Sequence, residues 1–206
     1  MISRPSRPRI FALLALIALL VGITLLAPEE ATLGSKIRWI YLHVAFTWAG
    51  TSLINAVGLG GLYLIARPLA MRQSLWVAPG QTAGLILFGI GFGLSLVASY
   101  TSWGGILWME PRVMSSIAML ACGAAVVVLV HLLISPRKIG FVALAASIGW
   151  SVALSSTGRV FHPDSPIGAS DSIVIKMTFY ALTVVAIAFG VVLTMIVKGS
   201  PKSQAE

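Results

Sequence analysis

The run IFALLALIALLVGITLLA, residues 10–27, contains no charged side chain and decides the class of the fold. The hydrocarbon core of a bilayer is about 30 Å thick, and roughly 20 apolar residues in a helix cross it. The rest of the chain has the same character, since 58% of its 206 residues are hydrophobic and only 10% are charged. This composition excludes an ordinary soluble domain. The sequence therefore predicts an all-α polytopic membrane protein.

Five further apolar blocks follow the first one, and each can form a helix that satisfies its own backbone hydrogen bonds in lipid. No soluble domain, linker or internal repeat is evident, so residues 1–206 are predicted to form a single six-helix membrane domain. Glycines in the second and third blocks predict close packing between neighbouring helices. The six predicted spans are residues 10–27, 39–66, 82–100, 113–134, 139–156 and 173–197.

Positive charges are distributed unequally between the two sides of the predicted bundle. When alternate connections are assigned to opposite sides, one side receives nine Lys and Arg residues and the other receives five. By the positive-inside rule, both termini are then cytoplasmic, in the cytoplasmic (inner) membrane of a cell. Chemistry is expected on the outer, extracytoplasmic face, because that side holds five of the six acidic residues: Glu29, Glu30, Glu110, Asp164 and Asp171.

The first block has a second interpretation, because arginines followed by an apolar run resemble a secretory signal peptide. The run of about 18 residues is longer than the usual h-region of roughly 7 to 15, and Pro28-Glu29-Glu30 makes a poor cleavage site. Six spans are therefore favoured, although cleavage would leave five.

Charge and cysteine content exclude several classes of function. A net charge of +8 would indicate nucleic-acid binding in a soluble protein. Here the cations lie between apolar blocks, so we attribute the charge to membrane topology. The predicted partner is the lipid bilayer, and no nucleic-acid binding is expected. The single cysteine, Cys122, excludes an intramolecular disulfide framework, a Cys-rich metal site and a CxxC redox pair.

Two histidines are predicted on the outer face. His43 lies about one turn into the second span, where an imidazole must find a partner because ionisable groups in a bilayer are costly. It is either an interfacial residue bonded to a carbonyl or headgroup, or a metal ligand, since imidazole is a common donor to iron. His162, in the outer loop 157–172, is either solvated or the second axial ligand of a haem iron. His131, near the inner side, is expected to be structural.

The outer loop 101–112, TSWGGILWMEPR, is aromatic and broken by glycines. It is either an aromatic-belt anchor or a platform for a flat apolar ligand that carries anionic groups. Trp103 and Trp108 would supply the rings. Glu110 and Arg112 favour the platform, because an anchor needs neither, whereas a guanidinium pairs with anionic groups.

Other activities lack the residues that they need. No H-E-x-x-H, G-x-S-x-G or glycine-rich phosphate loop is present, and two outer histidines with scattered carboxylates do not define a zinc hydrolase. A proton-coupled transporter is expected to carry ionisable residues within its spans, and only His43 and His131 come close. Asn55, deeper in the second span, is interpreted as an interhelical hydrogen-bonding residue.

The order and spacing of these residues resemble those in the haem-handling membrane proteins of cytochrome c biogenesis. Within that family, the resemblance is to the six-helix CcmC type. The segment IYLHV, residues 40–44, preceded by Lys36 and Arg38, resembles the start of the family's first haem-ligand helix. The family's tryptophan signature, roughly W-G-x-W-W-x-W-D-x-R, is similar to residues 103–112, with Glu110 in place of aspartate.

The resemblance implies a function in haem transport. The protein would bind b-type haem transiently at the extracytoplasmic face and deliver it to a haem chaperone during cytochrome c maturation. ABC-type ATP-binding and membrane subunits are implied as further partners. Delivery needs no substrate turnover, so no enzymatic activity is predicted.

The resemblance also implies roles for individual residues. His43 and His162 would be the axial metal ligands, and Trp103 and Trp108 would pack against the macrocycle. Arg112 would pair with the propionates, with Arg159, Lys36 and Arg38 as weaker candidates. Glu110 would orient Arg112 or a loop amide.

Two alternatives stay open. A cytochrome c synthase component, which joins haem to Cys-x-x-Cys-His chains, shares the tryptophan-rich loop but is usually larger than this chain. A non-haem helical subunit of a transporter or an oxidase would need only the packing of the spans.

Overall fold

A computed structural model describes residues 6–67, 69, 71–156 and 166–199. These residues form helices and contain no strand. The helices are α1 (Arg7–Leu26), α2 (Ile37–Ala66), α3 (Met71–Ser74), α4 (Val77–Trp103), α5 (Pro111–Leu132), α6 (Pro136–Ser156) and α7 (Ile173–Lys198).

Six of these helices are long and apolar enough to cross a membrane, which confirms the predicted all-α fold with six spans. The short α3 is a single turn between α2 and α4. Helix α4 begins at Val77, five residues before the predicted start at residue 82. Pro79 lies in its first turn, where the missing amide hydrogen leaves no intrahelical bond unmade. Pro79 is therefore compatible with the helix, and residues 77–81 belong to α4.

Helix α2 is the centre of the bundle and packs against α4, α6 and α7. Helix α5 closes the side between α4 and α6, and α1 lies outside, against α7. The end of α7 is tied to α1 by the Arg9 guanidinium, which donates to the carbonyl oxygens of Met195 (2.8 Å) and Gly199 (3.2 Å). The negative, C-terminal end of the α7 dipole also favours a cation at this position.

Glycines set the distance between α2 and its neighbours. A Cβ atom at Gly50 would lie 2.6 Å from the backbone nitrogen of Phe88, and one at Gly61 would lie 2.5 Å from the carbonyl oxygen of Gly140. Gly60 and Gly93 have open space instead. The predicted packing role therefore holds for some of the glycines, those whose Cα faces another helix.

Polar side chains join α2 to α6 within the membrane. The Ser147 hydroxyl donates to Asn55 Oδ1 at 2.9 Å, and the Trp150 indole N–H donates to Thr51 Oγ1 at 3.3 Å. Asn55 is thus an interhelical hydrogen-bonding residue, as its position in the span predicts. These two bonds fix the middle of α2 against α6.

Candidate functional site

His43 is the seventh residue of α2, about 9 Å along the helix axis from its first residue. Its ring is half-buried, and Nδ1 lies 2.8 Å from the carbonyl oxygen of Gly91 on α4. The approach depends on the absence of a side chain at residue 91, because a Cβ atom there would lie 2.6 Å from Thr47 Oγ1. A close helix crossing therefore places a backbone acceptor beside the imidazole.

This contact determines the tautomer of His43. A carbonyl oxygen can only accept, so the proton of a neutral imidazole must be on Nδ1. The nearby Thr47 hydroxyl, 3.5 Å from Nδ1, donates its own hydrogen to the His43 carbonyl oxygen at 2.8 Å. The in-plane lone pair of the ring is then on Nε2. Metal-ligating histidines show the same arrangement, in which the second ring nitrogen donates to a carbonyl or a carboxylate.

The loop between α1 and α2, the first of the predicted outer loops, is folded around Glu30. The Glu30 Oε2 atom accepts from the Thr32 hydroxyl at 2.6 Å and from the backbone N–H groups of Thr32 and Leu33 at 2.9 Å each. These bonds, chiefly that from the Thr32 hydroxyl, hold the pKa of Glu30 below its ordinary value of 4.5. Gly34 completes the turn with a positive φ of 55°. The carboxylate therefore shapes the loop.

The cations before His43 differ in their surroundings. The Arg38 guanidinium lies 3.8 Å from the Glu29 carboxylate, so it already has an anionic partner within the loop. Lys36 is exposed at the N-cap of α2. Of these two weaker candidates for an anionic ligand group, Lys36 is the more accessible.

A cavity of about 250 Å³, which we call the outer cavity, lies at the end of the bundle that the sequence predicts to face outward, where three connections meet. Trp103, the last residue of α4, forms one wall and is 46% exposed. The remaining lining comes from the first and third outer loops: Glu30, Thr32, Leu33, Pro166, Ala169 and Ser170. Trp103 and these two loops thus line one cavity, whereas His43 and Trp108 do not line it.

The tryptophan-containing loop leaves α4 through Gly104, whose φ of 78° favours glycine. Ser99 Oγ donates to the Gly105 carbonyl oxygen at 2.8 Å and fixes this exit. Trp108 is 53% exposed, whereas Glu110, directly before α5, is only 8% exposed. Arg112 is exposed in the first turn of α5. The loop therefore presents a ring and a guanidinium at its surface and buries its carboxylate.

Two predicted site residues, His162 and Arg159, lie outside the described residues, as does Asp164. The predicted pairing of His43 with His162 therefore stays a prediction. Within the ranges that the structure describes, no group of three or more His, Cys, Asp or Glu side chains could hold a metal ion. His131 is exposed, and its Nδ1 bonds the Val127 carbonyl oxygen of its own helix at 2.8 Å, which fits a structural role.

Sequence reasoning missed several residues of this region. Gly91 supplies only a backbone oxygen, which no sequence pattern marks. Thr32 and Leu33 line the outer cavity through their position in the Glu30 turn, and the only available signal was the Glu-x-Thr spacing before Gly34. No protein-family model matches the chain, and no curated protein matches it significantly.

Proposed function

We propose that this protein binds haem at the outer face of the membrane and delivers it to a haem chaperone during cytochrome c maturation. The observation that carries the proposal is the 2.8 Å contact between His43 Nδ1 and the Gly91 carbonyl oxygen. It puts the ring lone pair of a neutral imidazole on Nε2, the nitrogen that would ligate iron, and the ring lies on a helix that packs against α4, α6 and α7. The same bond also fits the alternative of an interfacial histidine bonded to a carbonyl oxygen, and the spectra described below separate the two interpretations.

The other roles follow from the chemistry of haem, an apolar disc with two carboxylates. His162 would supply the second axial imidazole. Trp103 and Trp108, both about half exposed, offer indole faces to a macrocycle. Arg112 and Arg159 would pair with the propionates, and Glu110, at the N-cap of α5, would orient Arg112 or a loop amide.

Delivery requires that one ligand releases the iron more readily than the other. His43 belongs to a helix whose packing is set by backbone contacts, whereas the sequence predicts that His162 lies in the loop of residues 157–172. We therefore assign release to His162. Haem would leave when this loop moves toward the chaperone, and ABC-type ATP-binding and membrane subunits would couple the step to ATP.

The test is the absorption spectrum of the protein purified from haem-replete membranes. The wild type should show a Soret band, and His43→Ala should abolish it. His131→Ala is the matched control, because its imidazole also bonds a carbonyl through Nδ1 but lies at the other end of the bundle; this variant should keep the band. His162→Ala should give a five-coordinate spectrum. Wild-type spectra from both His43→Ala and His162→Ala would overturn the proposal.

A second assay separates delivery from haem ligation. When haem-loaded protein is mixed with an apocytochrome that carries a Cys-x-x-Cys-His motif, delivery alone leaves the thioethers unformed. Covalent haem on the apocytochrome would favour a synthase component instead. A colourless wild-type preparation would favour a non-haem subunit.

A further inference from the structure

A second cavity lies toward the other end of the bundle, between the second half of α2, the start of α4 and the end of α7. Its volume is about 420 Å³, within the range of roughly 300–1,000 Å³ that is typical of small-molecule pockets. We call it the inner groove. The residues that matter for its shape are Ala56, Gly60, Tyr63, Trp76, Gly80 and Thr194.

Glycine keeps the inner groove open. No atom lies within 4 Å of the position that a Cβ of Gly60 would occupy, although the glycine is within a membrane span. The Thr194 hydroxyl on the opposite wall donates to the Gly190 carbonyl oxygen of its own helix at 2.8 Å, so it needs no further partner. The walls therefore favour an apolar occupant.

The mouth of the groove has a different character. The Lys198 ammonium lies 3.4 Å from the centroid of the Trp76 ring, a close cation–π contact. Tyr63 and Trp76 are 50% and 43% exposed, and Arg67 caps α2 one turn beyond Tyr63. Tryptophan, tyrosine and basic residues together are typical of the membrane–water interface.

Charge at this end is of one sign over the described residues. The carboxylates described by the structure all lie at the opposite end of the bundle: Glu29, Glu30, Glu110 and Asp171. Arg67 and Lys198 lie at the ends of α2 and α7, two of the three helices that border the groove. The inner groove is apolar and has cations near its mouth, so it is complementary to a molecule with an acyl chain and an anionic headgroup.

We infer that the inner groove binds an anionic phospholipid from the adjacent leaflet. One acyl chain lies beside Gly60, and the phosphate is bound by Lys198 and Arg67. Because its walls come from α2, α4 and α7, the bound lipid stabilises the packing of these three helices. The inference does not depend on haem binding.

Reconstitution in nanodiscs tests this site. Discs of pure phosphatidylcholine are compared with discs that also contain phosphatidylglycerol, and we measure Tm and the lipids retained in native mass spectra. Phosphatidylglycerol should raise the Tm of the wild type by several degrees and remain bound to it. Gly60→Leu should lose both effects because its side chain fills the groove. Gly93→Leu is the matched control, since Gly93 is also exposed with no atom within 4 Å; it should behave like the wild type.

The headgroup is tested separately. A Lys or Arg near an anionic surface contributes about 1 kcal/mol, so Lys198→Gln and Arg67→Gln should each weaken retention about fivefold. An equal Tm in the two kinds of disc would overturn the proposal, and so would an equal Tm rise when inorganic phosphate is added to discs of pure phosphatidylcholine. Retention by Gly60→Leu at the wild-type level would do the same, as would a partner helix that crosslinks to residue 60 and excludes lipid.

Discussion

His43 depends on a backbone carbonyl of the neighbouring helix, so its chemistry is set by helix packing. A side-chain acceptor can be replaced by a similar residue, but the Gly91 carbonyl oxygen reaches Nδ1 only while α4 lies close to α2. The residue to change is therefore the glycine that permits the approach.

Gly91→Ala should separate the two helices locally. Its Cβ would lie 2.6 Å from Thr47 Oγ1 and 2.8 Å from the Thr47 backbone nitrogen, and the backbone nitrogen cannot rotate away. Overpacking of this kind costs about 1–3 kcal/mol. We expect a lower Tm, and ¹⁵N NMR of the imidazole should show loss of the fixed Nδ1–H tautomer.

Gly89→Ala is the control for this change. It lies on the same helix two residues away, and its Cβ would make only an ordinary contact, 3.7 Å from a Leu120 methyl group. If both alanine variants keep the wild-type tautomer, the Gly91 contact does not control the ring.

The lowered pKa of Glu30 predicts that the stability of the loop before α2 depends on pH. Its carboxylate is stabilised by the Thr32 hydroxyl and the backbone N–H groups of Leu33 and Thr32, so the folded pKa is below the ordinary value of 4.5. A lowered pKa means that these bonds stabilise the loop above about pH 4.5 and that the contribution is lost as the pH falls through the folded pKa. Thr32→Val should raise the pKa, as measured by ¹³C NMR of labelled glutamate. An unchanged titration would show that the hydroxyl has no role.

At the scale of helices, α2 and α6 are joined by both close packing and hydrogen bonds. A Cβ at Gly58 would collide with the Ser147 side chain, and the Ser147 hydroxyl reaches Asn55 at 2.9 Å. The close approach makes the hydrogen bond possible. The two features should therefore be energetically coupled.

A double-mutant cycle measures the hydrogen bond between these helices. Hydrogen bonds within membrane proteins average about 0.6 kcal/mol and reach about 1.7 kcal/mol. We expect a coupling energy in this range for Asn55→Ala and Ser147→Ala, from reversible unfolding in mixed micelles. The pair Asn55→Ala and Ser155→Ala should show no coupling, because Ser155 bonds its own helix at the Val152 carbonyl oxygen. Additive effects in the first pair would contradict the assignment.

The sequence predicts the helices better than the contacts between them. Apolar runs identify the six spans. The amide of Asn55, within one of these spans, predicts an interhelical hydrogen bond, because an unpaired polar group in lipid is costly wherever it lies. Gly84 and Gly93 have similar neighbours in sequence, yet only a Cβ at Gly84 would meet the facing helix, 3.2 Å from the Gly50 carbonyl oxygen. That difference depends on the rotation of α4, which the sequence does not determine.

The candidate site shows the same division. His43 and Trp103 are identifiable from the sequence because their residue types are rare in this chain. Gly91 is not, since its contribution is a carbonyl oxygen that every residue has. The sequence marks Glu30 only by its charge, whereas its hydrogen bonds to the loop at Thr32 and Leu33 require the folded turn.

For the whole molecule, the alternation of six spans divides the connections into two sets. The loop before α2 and the tryptophan-containing loop share one end with the outer cavity, and the inner groove opens toward the other end. The two proposed sites therefore contact different compartments or leaflets. Which compartment receives which end rests on the distribution of cations.

Topology is tested with single cysteines at two exposed positions. Cys122 is replaced by alanine, and a cysteine is introduced at Ala31, before α2, or at Leu69, which is 93% exposed after α2. Since the positive-inside rule assigns the nine-cation side to the cytoplasm, a membrane-impermeant maleimide added to intact spheroplasts should label Ala31→Cys alone. After lysis it should label both variants. Labelling of Leu69→Cys alone in intact cells would invert the molecule and place His43 on the cytoplasmic side, where delivery of haem to an extracytoplasmic chaperone is impossible.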